Sequence, residues 1–246
     1  GNQMRALADL AERFTAGDVR TTNDQNVVFR RVPIARLAEL HPQLAALGFD
    51  RRAHSLVDVV SCPGASTCQL GITLSKNLAQ DLERSLAGIG ADARTLSGRI
   101  NISGCPNSCG QHHIAAIGFH GAAAKIGTEM VPHYVLLVGG EDAGDRVHHG
   151  TLICRIPARK VAAVTAALAG WYQQERQGDE SLAAWLRRIS GEGLEKAQTS
   201  AAKAALKARI EPIAAIPLAQ LTADDLHDLG VSEKFEVKLG TGECMV

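Results

Sequence analysis

The sequence predicts an α+β protein: a small helix–strand–strand–helix unit, followed by a larger unit in which strands and helices mix. Three observations carry this reading. Apolar residues recur at helical spacing through Leu7, Leu10, Ala11 and Phe14, and again through Leu37, Leu40, Leu44 and Leu47. Between these segments lie two short β-rich runs, 19–21 and 27–32, separated by TTNDQN. Beyond residue 56, β-branched runs alternate with segments of helical period.

Taken in order, Asn2 is placed to cap a helix over 3–14, which Gly17 stops. After the two short strands, Pro33 opens a second helix in its first turn, and Gly48 closes it. No strand opens this unit, so a strand before Gly1 is expected to be missing and the chain to be a piece of a longer one. From Leu56, LVDVVSC reads as a strand running into a cysteine loop. Residues 72–86 have helical spacing, 99–103 form a second strand entering a second cysteine loop, and 114–119 continue as a strand. Residues 134–138 form a buried strand closed by Gly139-Gly140. A helix over 157–174 turns Val161, Val164 and Leu168 inward, and another covers 182–189. An alanine- and lysine-rich helix over 194–210 is expected on the surface. Pro212 and Pro217 mark a linker, and the tail carries a capping box from Thr222 to Asp225 before ending GTGECMV. These signals divide the chain into 1–52, 53–210 and a tail, 211–246.

With 246 residues, 46% of them hydrophobic, the chain builds one large or two modest cores. Lys plus Arg and Asp plus Glu both total 26, giving no electrostatic drive towards nucleic acid or an anionic membrane. No apolar run reaches the ~20 residues that cross a bilayer. The opening GNQMRALADL has no signal-peptide core. The expectation is a cytoplasmic protein with neither a nucleic-acid nor a membrane partner.

Six cysteines in such a chain point to metal ligands, buried apolar residues or redox groups rather than disulfides. Cys62 and Cys68 form C-x5-C, Cys105 and Cys109 form C-x3-C, and Cys154 and Cys244 stand alone. Both pairs fall where a strand gives way to a loop, so they converge if the strands share a sheet end. Thiolates around a metal need sharply turning backbone, which Pro63-Gly64, Gly104, Pro106 and Gly110 supply. Structural zinc takes C-x2-4-C pairs and fits C-x5-C poorly. A [4Fe–4S] cube needs four thiolates and tolerates wider spacing. Two pairs of buried free cysteines are the remaining reading.

CPGASTCQLGI at 62–72 and SGCPNSCGQ at 103–111 together resemble the sirohaem-dependent sulfite and nitrite reductases. In that family C-x5-C and C-x3-C bind a [4Fe–4S] cluster; here 36 residues (69–104) lie between the pairs. RTTNDQNVVF at 20–29, with Thr22, Gln25 and Asn26, resembles the family's ferredoxin-like half-domain. ICRIPARKVAAVTAALAGWY at 153–172 resembles the strand and helix after its cluster motif. The resemblance implies a ferredoxin-like half-domain followed by a mixed-sheet α/β sandwich domain carrying cysteine loops at one sheet end. It implies that Cys62, Cys68, Cys105 and Cys109 ligate the cluster, and that Cys109 also bridges to sirohaem iron and so takes part in catalysis. It places Asn107 beside these cofactors. The implied activity is six-electron reduction of sulfite to sulfide or nitrite to ammonia, with electrons from ferredoxin or a flavoprotein. Family members are usually two pseudo-repeated halves, and this chain resembles the second. The implied partner is a missing N-terminal half carrying the cations that hold sirohaem and the anionic substrate. A haem-free [4Fe–4S] electron-transfer module and a zinc-stapled interaction domain are the alternatives.

Other residues are weighed beside these. His112 and His113 are possible proton donors, but packing and a backbone hydrogen bond are the plainer expectation. His148, His149, Lys76, Arg99 and Lys125 read as solvated charges, Gln25 and Asn26 as turn braces, Cys154 as a core residue and Cys244 as an incidental tail cysteine.

Overall fold

The computed structural model describes residues 1–49, 56, 58–87 and 98–237. The chain divides into two compact units, Gly1–Ala53 and His54–Val246.

In the first unit, helix α1 (Asn2–Thr15) leads to strands β1 (Val19–Thr21) and β2 (Val27–Phe29), then to helix α2 (Leu37–Ala46). The helix ends because Ala16 and Gly17 both enter the left-handed region, where the Gly17 N–H returns to the Ala11 carbonyl. β1 and β2 pair antiparallel with Val19 opposite Phe29. Leu10, Phe14 and Leu40 form a small core, covered by Phe29, Val32, Leu44 and Leu47. The turn between the strands explains Thr22, Gln25 and Asn26. The Thr22 hydroxyl accepts from the Asn26 N–H at 3.1 Å, and Gln25 takes a left-handed φ of 61°. These residues brace a turn, as expected.

The second unit is built on a mixed five-stranded sheet in the order β3-β4-β5-β6-β9. β3 (Val59–Ser61), β4 (Ile100–Ser103) and β5 (Ile117–Ile126) run parallel to one another, while β6 (Glu129–Val138) pairs antiparallel with both β5 and β9 (Thr151–Pro157). Between β6 and β9, the short strands β7 (Glu141–Asp142) and β8 (Val147–His148) form a separate ribbon. Helices α3 (Ser75–Ala87), α4 (Val161–Glu175), α5 (Leu182–Ser190) and α6 (Lys196–Ala214) complete the unit. Its main core unites Ile100, Ile102, Ile117, Phe119, Tyr134 and Leu136 of the sheet with Leu78 and Leu82 of α3, Val164 and Leu168 of α4 and Trp185 of α5. Each fully buried side chain of this size contributes roughly 1.5–3 kcal/mol by leaving water.

Three expectations are corrected or refined. β5 and β6 run longer than their apolar cores, because Gly127 takes the left-handed φ of 62° that a two-residue hairpin turn uses. α6 lies on the surface as expected, but one stripe anchors it there: Leu206, Ile210 and Ala214, four residues apart, lie in the main core. Pro212 lies inside α6 rather than in a linker, and the segment after it packs. Leu229 and Phe235 are buried, and the expected capping box from Thr222 to Asp225 is formed.

Candidate functional site

β3 and β4 are parallel neighbours, so their C-terminal ends lie side by side, with Ser61 opposite Ile102. Each runs directly into a cysteine loop. The two pairs thus leave the same end of one sheet, as their places in the sequence anticipate.

Hydrogen bonds lock the loops together. The Cys62 N–H donates to the Ile102 carbonyl at 3.1 Å, and the Gly104 N–H donates to the Cys62 sulfur, also at 3.1 Å. The Ser75 hydroxyl, at the start of α3, donates to the Cys62 carbonyl at 2.8 Å and lies 3.5 Å from its sulfur. Gly64 has φ +60°, and a Cβ there would meet the Ser75 hydroxyl, so glycine is required by both conformation and space. The Gly64 carbonyl accepts from the Cys68 N–H at 3.0 Å. In the second loop, Ser108 (φ 60°) and Gln111 (φ 58°) hold the left-handed conformation on either side of Cys109. Non-glycine residues adopt that region at a cost, and such strain concentrates where a side chain must be aimed.

Cys62 and Cys105 are buried, while Cys68 and Cys109 are exposed. Electrostatics place all four in one neighbourhood. Burial pushes the Cys105 thiol up, the Asn107 backbone N–H holds it back, and Cys62, Cys109 and Cys68 push it up further. A thiol whose ionisation three neighbouring cysteines oppose belongs to a donor set suited to a cationic centre. They do not close on a single point. Among the described residues, no three His, Cys, Asp or Glu side chains gather as one metal ion requires. A cubane cluster instead spreads its four cysteine ligands over separate corners. Cysteine thiolates are the ligands that group takes, so the residues present fit it. Asn107 enters this geometry through its backbone N–H, a role its side-chain chemistry did not suggest.

Beside the second loop lies a group of imidazoles. His112 is fully buried, with Nδ1 2.8 Å from the Ser103 hydroxyl, whose oxygen accepts from the Gly110 N–H at 3.1 Å. Its ring lies 4.1 Å from that of His113 and 4.9 Å from that of His120. Its partner is thus a serine hydroxyl, not the backbone carbonyl expected for this pair. Burial, then His113 and His120, lower its pKa to about 3. His113, His120 and His133 are also lowered, each mainly by burial; Arg155 adds to the effect at His120 and His133, while a backbone carbonyl opposes it. A folded-state pKa below the unfolded value of 6.5 means that the unfolded chain binds more protons in acid. Stability is therefore expected to fall as pH drops from about 7 towards 3, the window between unfolded and folded titration. The urea midpoint at pH 5.0 should lie below that at pH 7.5; equal midpoints would contradict this.

Elsewhere, Lys76 and Lys125 are exposed as expected. His148 is not simply solvated, since Nδ1 lies 3.3 Å from a Glu192 carboxylate oxygen. Cys154 packs half-buried against the core, with its thiol pushed up to about 11 mainly by burial. Cys244 lies outside the described residues. Sequence reasoning missed Ser75, and it missed Asp228, a buried carboxylate that accepts from the Leu74 N–H at 2.6 Å. Nothing in their local sequence marks either one.

Comparison with known proteins places this geometry. Residues 53–204 match the family model for the nitrite and sulphite reductase 4Fe-4S domain, and residues 1–47 match that for the nitrite/sulfite reductase ferredoxin-like half domain. A ferredoxin–nitrite reductase of Synechococcus elongatus is 34% identical over 55% of this chain and 26% of its own length. A sulfite reductase (ferredoxin) of Mycobacterium tuberculosis is 34% identical over 61% of this chain and 26% of its own. A chloroplastic ferredoxin–nitrite reductase of Zea mays is 31% identical over 72% and 32%. The chain thus spans about a third or less of the length of these curated relatives. Among solved structures, the NirA protein of Mycobacterium tuberculosis superposes with TM-score 0.61 and 27% identity, covering 80% of this chain and 36% of that one. A dissimilatory sulfite reductase I shares the fold, with TM-score 0.57 and 13% identity.

Proposed function

Because this chain belongs to the nitrite and sulphite reductase family, we propose that it is the cluster- and sirohaem-binding half of a reductase that converts sulfite to sulfide or nitrite to ammonia. The observation that carries this reading is the convergence of Cys62, Cys68, Cys105 and Cys109 from two loops at one sheet end. These four residues would hold a [4Fe–4S] cluster, and Cys109, exposed on its strained turn, would be the residue it has in common with the sirohaem site. The cluster and the haem supply a path for electrons one at a time. The chain's own residues fix that path. The Gly104 N–H and the Asn107 backbone N–H donate to cysteine sulfurs and so ease negative charge on them, a known lever on cluster potential. Buried, neutral His112 leaves the second loop without an added positive charge.

In this reading residues 1–52 are the ferredoxin-like half-domain, 53–210 the cluster domain and 211–246 a C-terminal segment. A further N-terminal half supplies cations for the carboxylate-rich macrocycle and the small anion, consistent with the zero formal charge here. The ferredoxin-linked names of several relatives support ferredoxin as the electron donor over a flavoprotein. Among the described residues, no helix is long and apolar enough to cross a membrane. We place the protein in the cytoplasm.

Anaerobic reconstitution with iron and sulfide tests the assignment. Four irons and four sulfides per chain are expected, with a reduced-state EPR signal of a [4Fe–4S] centre. Stoichiometric zinc binding without that signal would overturn it in favour of the zinc-stapled domain. Absorbance of the whole protein distinguishes the haem-free module, because sirohaem adds a Soret band and a red band that a cluster lacks.

A further inference from the structure

The C-terminal segment makes contacts that the assignment above does not use. After α6 the chain returns to the start of α3, where the Asp228 carboxylate, only 4% exposed, accepts from the Leu74 N–H at 2.6 Å through one oxygen. Its other oxygen accepts from the Leu229 N–H at 2.8 Å. One residue further, the Leu229 carbonyl accepts from the Asn77 side-chain amide at 2.6 Å, and the Leu229 side chain is buried in the main core. The segment is itself closed into a turn: Phe235 N–H donates to the Leu226 carbonyl at 2.7 Å, and His227 bridges to Lys234. Arg159 adds a bond from Nε to the Asp224 carbonyl.

Leu74 is no ordinary anchor point. The two residues before it, Ile72 and Thr73, both donate their N–H groups to the Gly104 carbonyl, at 2.8 and 3.1 Å. The residue after it, Ser75, holds the Cys62 carbonyl. The Thr73 carbonyl accepts from the Ala65 N–H, between Cys62 and Cys68. Segment 72–75 is therefore the peptide on which both cysteine loops hang, and Asp228 ties it to the C-terminal segment.

We infer that Asp228 is a positioning residue for the cysteine site, strapping the C-terminal segment onto the peptide that joins the two cysteine loops. The inference rests on the reading of those cysteines as cluster ligands. Without the strap, segment 72–75 keeps its bonds to Gly104 and the Leu74 carbonyl keeps those from α3, but the Leu74 N–H loses its tie to the C-terminal segment. The loops then open more often, and a bound cluster becomes accessible to chelators. What matters is the acceptor geometry more than the charge. Burial pushes the Asp228 carboxyl up, while the Leu74 and Leu229 N–H groups and Arg159 hold it back. An asparagine retains one acceptor oxygen for Leu74, so Asp228→Asn is expected to keep most of the effect that Asp228→Ala loses.

Two measurements decide it. In the metal-free chain, amide exchange over residues 64–75 should be about tenfold faster in Asp228→Ala, the ratio matching loss of one to two buried hydrogen bonds. Asn77→Ala should move it in the same direction, and Asp228→Asn should stay near wild type. In the reconstituted chain, Asp228→Ala should lose its cluster EPR signal to a chelator several-fold faster. Leu206→Ala serves as the control, since Leu206 lies in the core on α6, which packs against β9 at the sheet edge opposite β3. It should lower the melting temperature and leave both readouts unchanged. Wild-type exchange in Asp228→Ala, or equal acceleration in Leu206→Ala, overturns the strap. If wild type takes up no cluster, the ligand assignment fails instead, and the exchange comparison still decides the strap.

Discussion

Cys109→Ser is expected to abolish cluster assembly in this chain and reduction in the whole enzyme. Iron is a soft enough partner to favour thiolate, and a serine oxygen replaces it poorly. The second loop also has little freedom to offer a substitute. Ser108 and Gln111 hold left-handed backbone on either side of Cys109, and the Gly110 N–H is tied to the Ser103 hydroxyl. The turn aims one side chain at this position. Changes in the shell around metal ligands typically cost 10–100-fold, so loss of a ligand shared by two centres should exceed about 100-fold in turnover. Iron content and the reduced-state EPR signal check the first expectation, and steady-state reduction of sulfite and nitrite checks the second. Cys154→Ser is the matched comparison. That thiol is half-buried against the core and kept protonated by a pKa near 11, so its replacement should leave iron content unchanged. An iron content in Cys109→Ser equal to that of wild type refutes the ligand assignment.

What the sequence discloses about this site, and what it hides, follows from the range of the interactions. The meeting of the Cys62–Cys68 and Cys105–Cys109 loops at one sheet end is legible because strand signals end just before each pair. The first α+β unit is likewise legible, through the period of Leu7, Leu10 and Phe14 and the punctuation of Gly17 and Gly48. The full length of β5 is not. Ala122, Ala123 and Ala124 have low strand propensity, and only pairing with His133, Pro132 and Val131 makes them a strand. The buried stripe of α6 is hidden by its polar composition, since three residues at four-residue intervals suffice to anchor one face. Pro212 looks like a break, but tertiary packing carries the helix past it. Asp228 is the extreme case. Its partner, Leu74, is 154 residues away, and no pattern around HDLG announces a buried acceptor.

The same close meeting of distant segments makes Gly104→Ala a damaging small substitution near the site. Gly104 stands where three segments touch. Its N–H donates to the Cys62 sulfur, and its carbonyl accepts from Ile72 and Thr73. A Cβ at this position would lie 2.7 Å from the Gly64 Cα and 2.9 Å from the Thr73 carbonyl oxygen. Both neighbours are backbone, so neither can swing aside as a side-chain end would. Relief requires the loops to separate, which stretches hydrogen bonds from Gly104 to both the first loop and segment 72–75. Overpacking of this kind, with partial loss of those bonds, should cost about 2–4 kcal/mol. For a domain of this size that corresponds to a fall of roughly 5–15 °C in melting temperature. Cluster uptake should fall with it, because the displaced backbone carries Cys62 on one side and Cys105 on the other. Gly170→Ala supplies the opposite sign. Gly170 lies inside α4 with no atom within 4 Å of the added methyl, so alanine there should stabilise by about 0.5–1 kcal/mol through helix propensity alone. One methyl group thus probes two different costs of glycine. In α4 its removal of backbone freedom is pure gain, whereas at Gly104 the missing side chain is what lets two cysteine loops meet. If Gly104→Ala melts with wild type and binds a full complement of iron, the loops are not packed against each other through that residue, and the geometry assigned to the site is wrong.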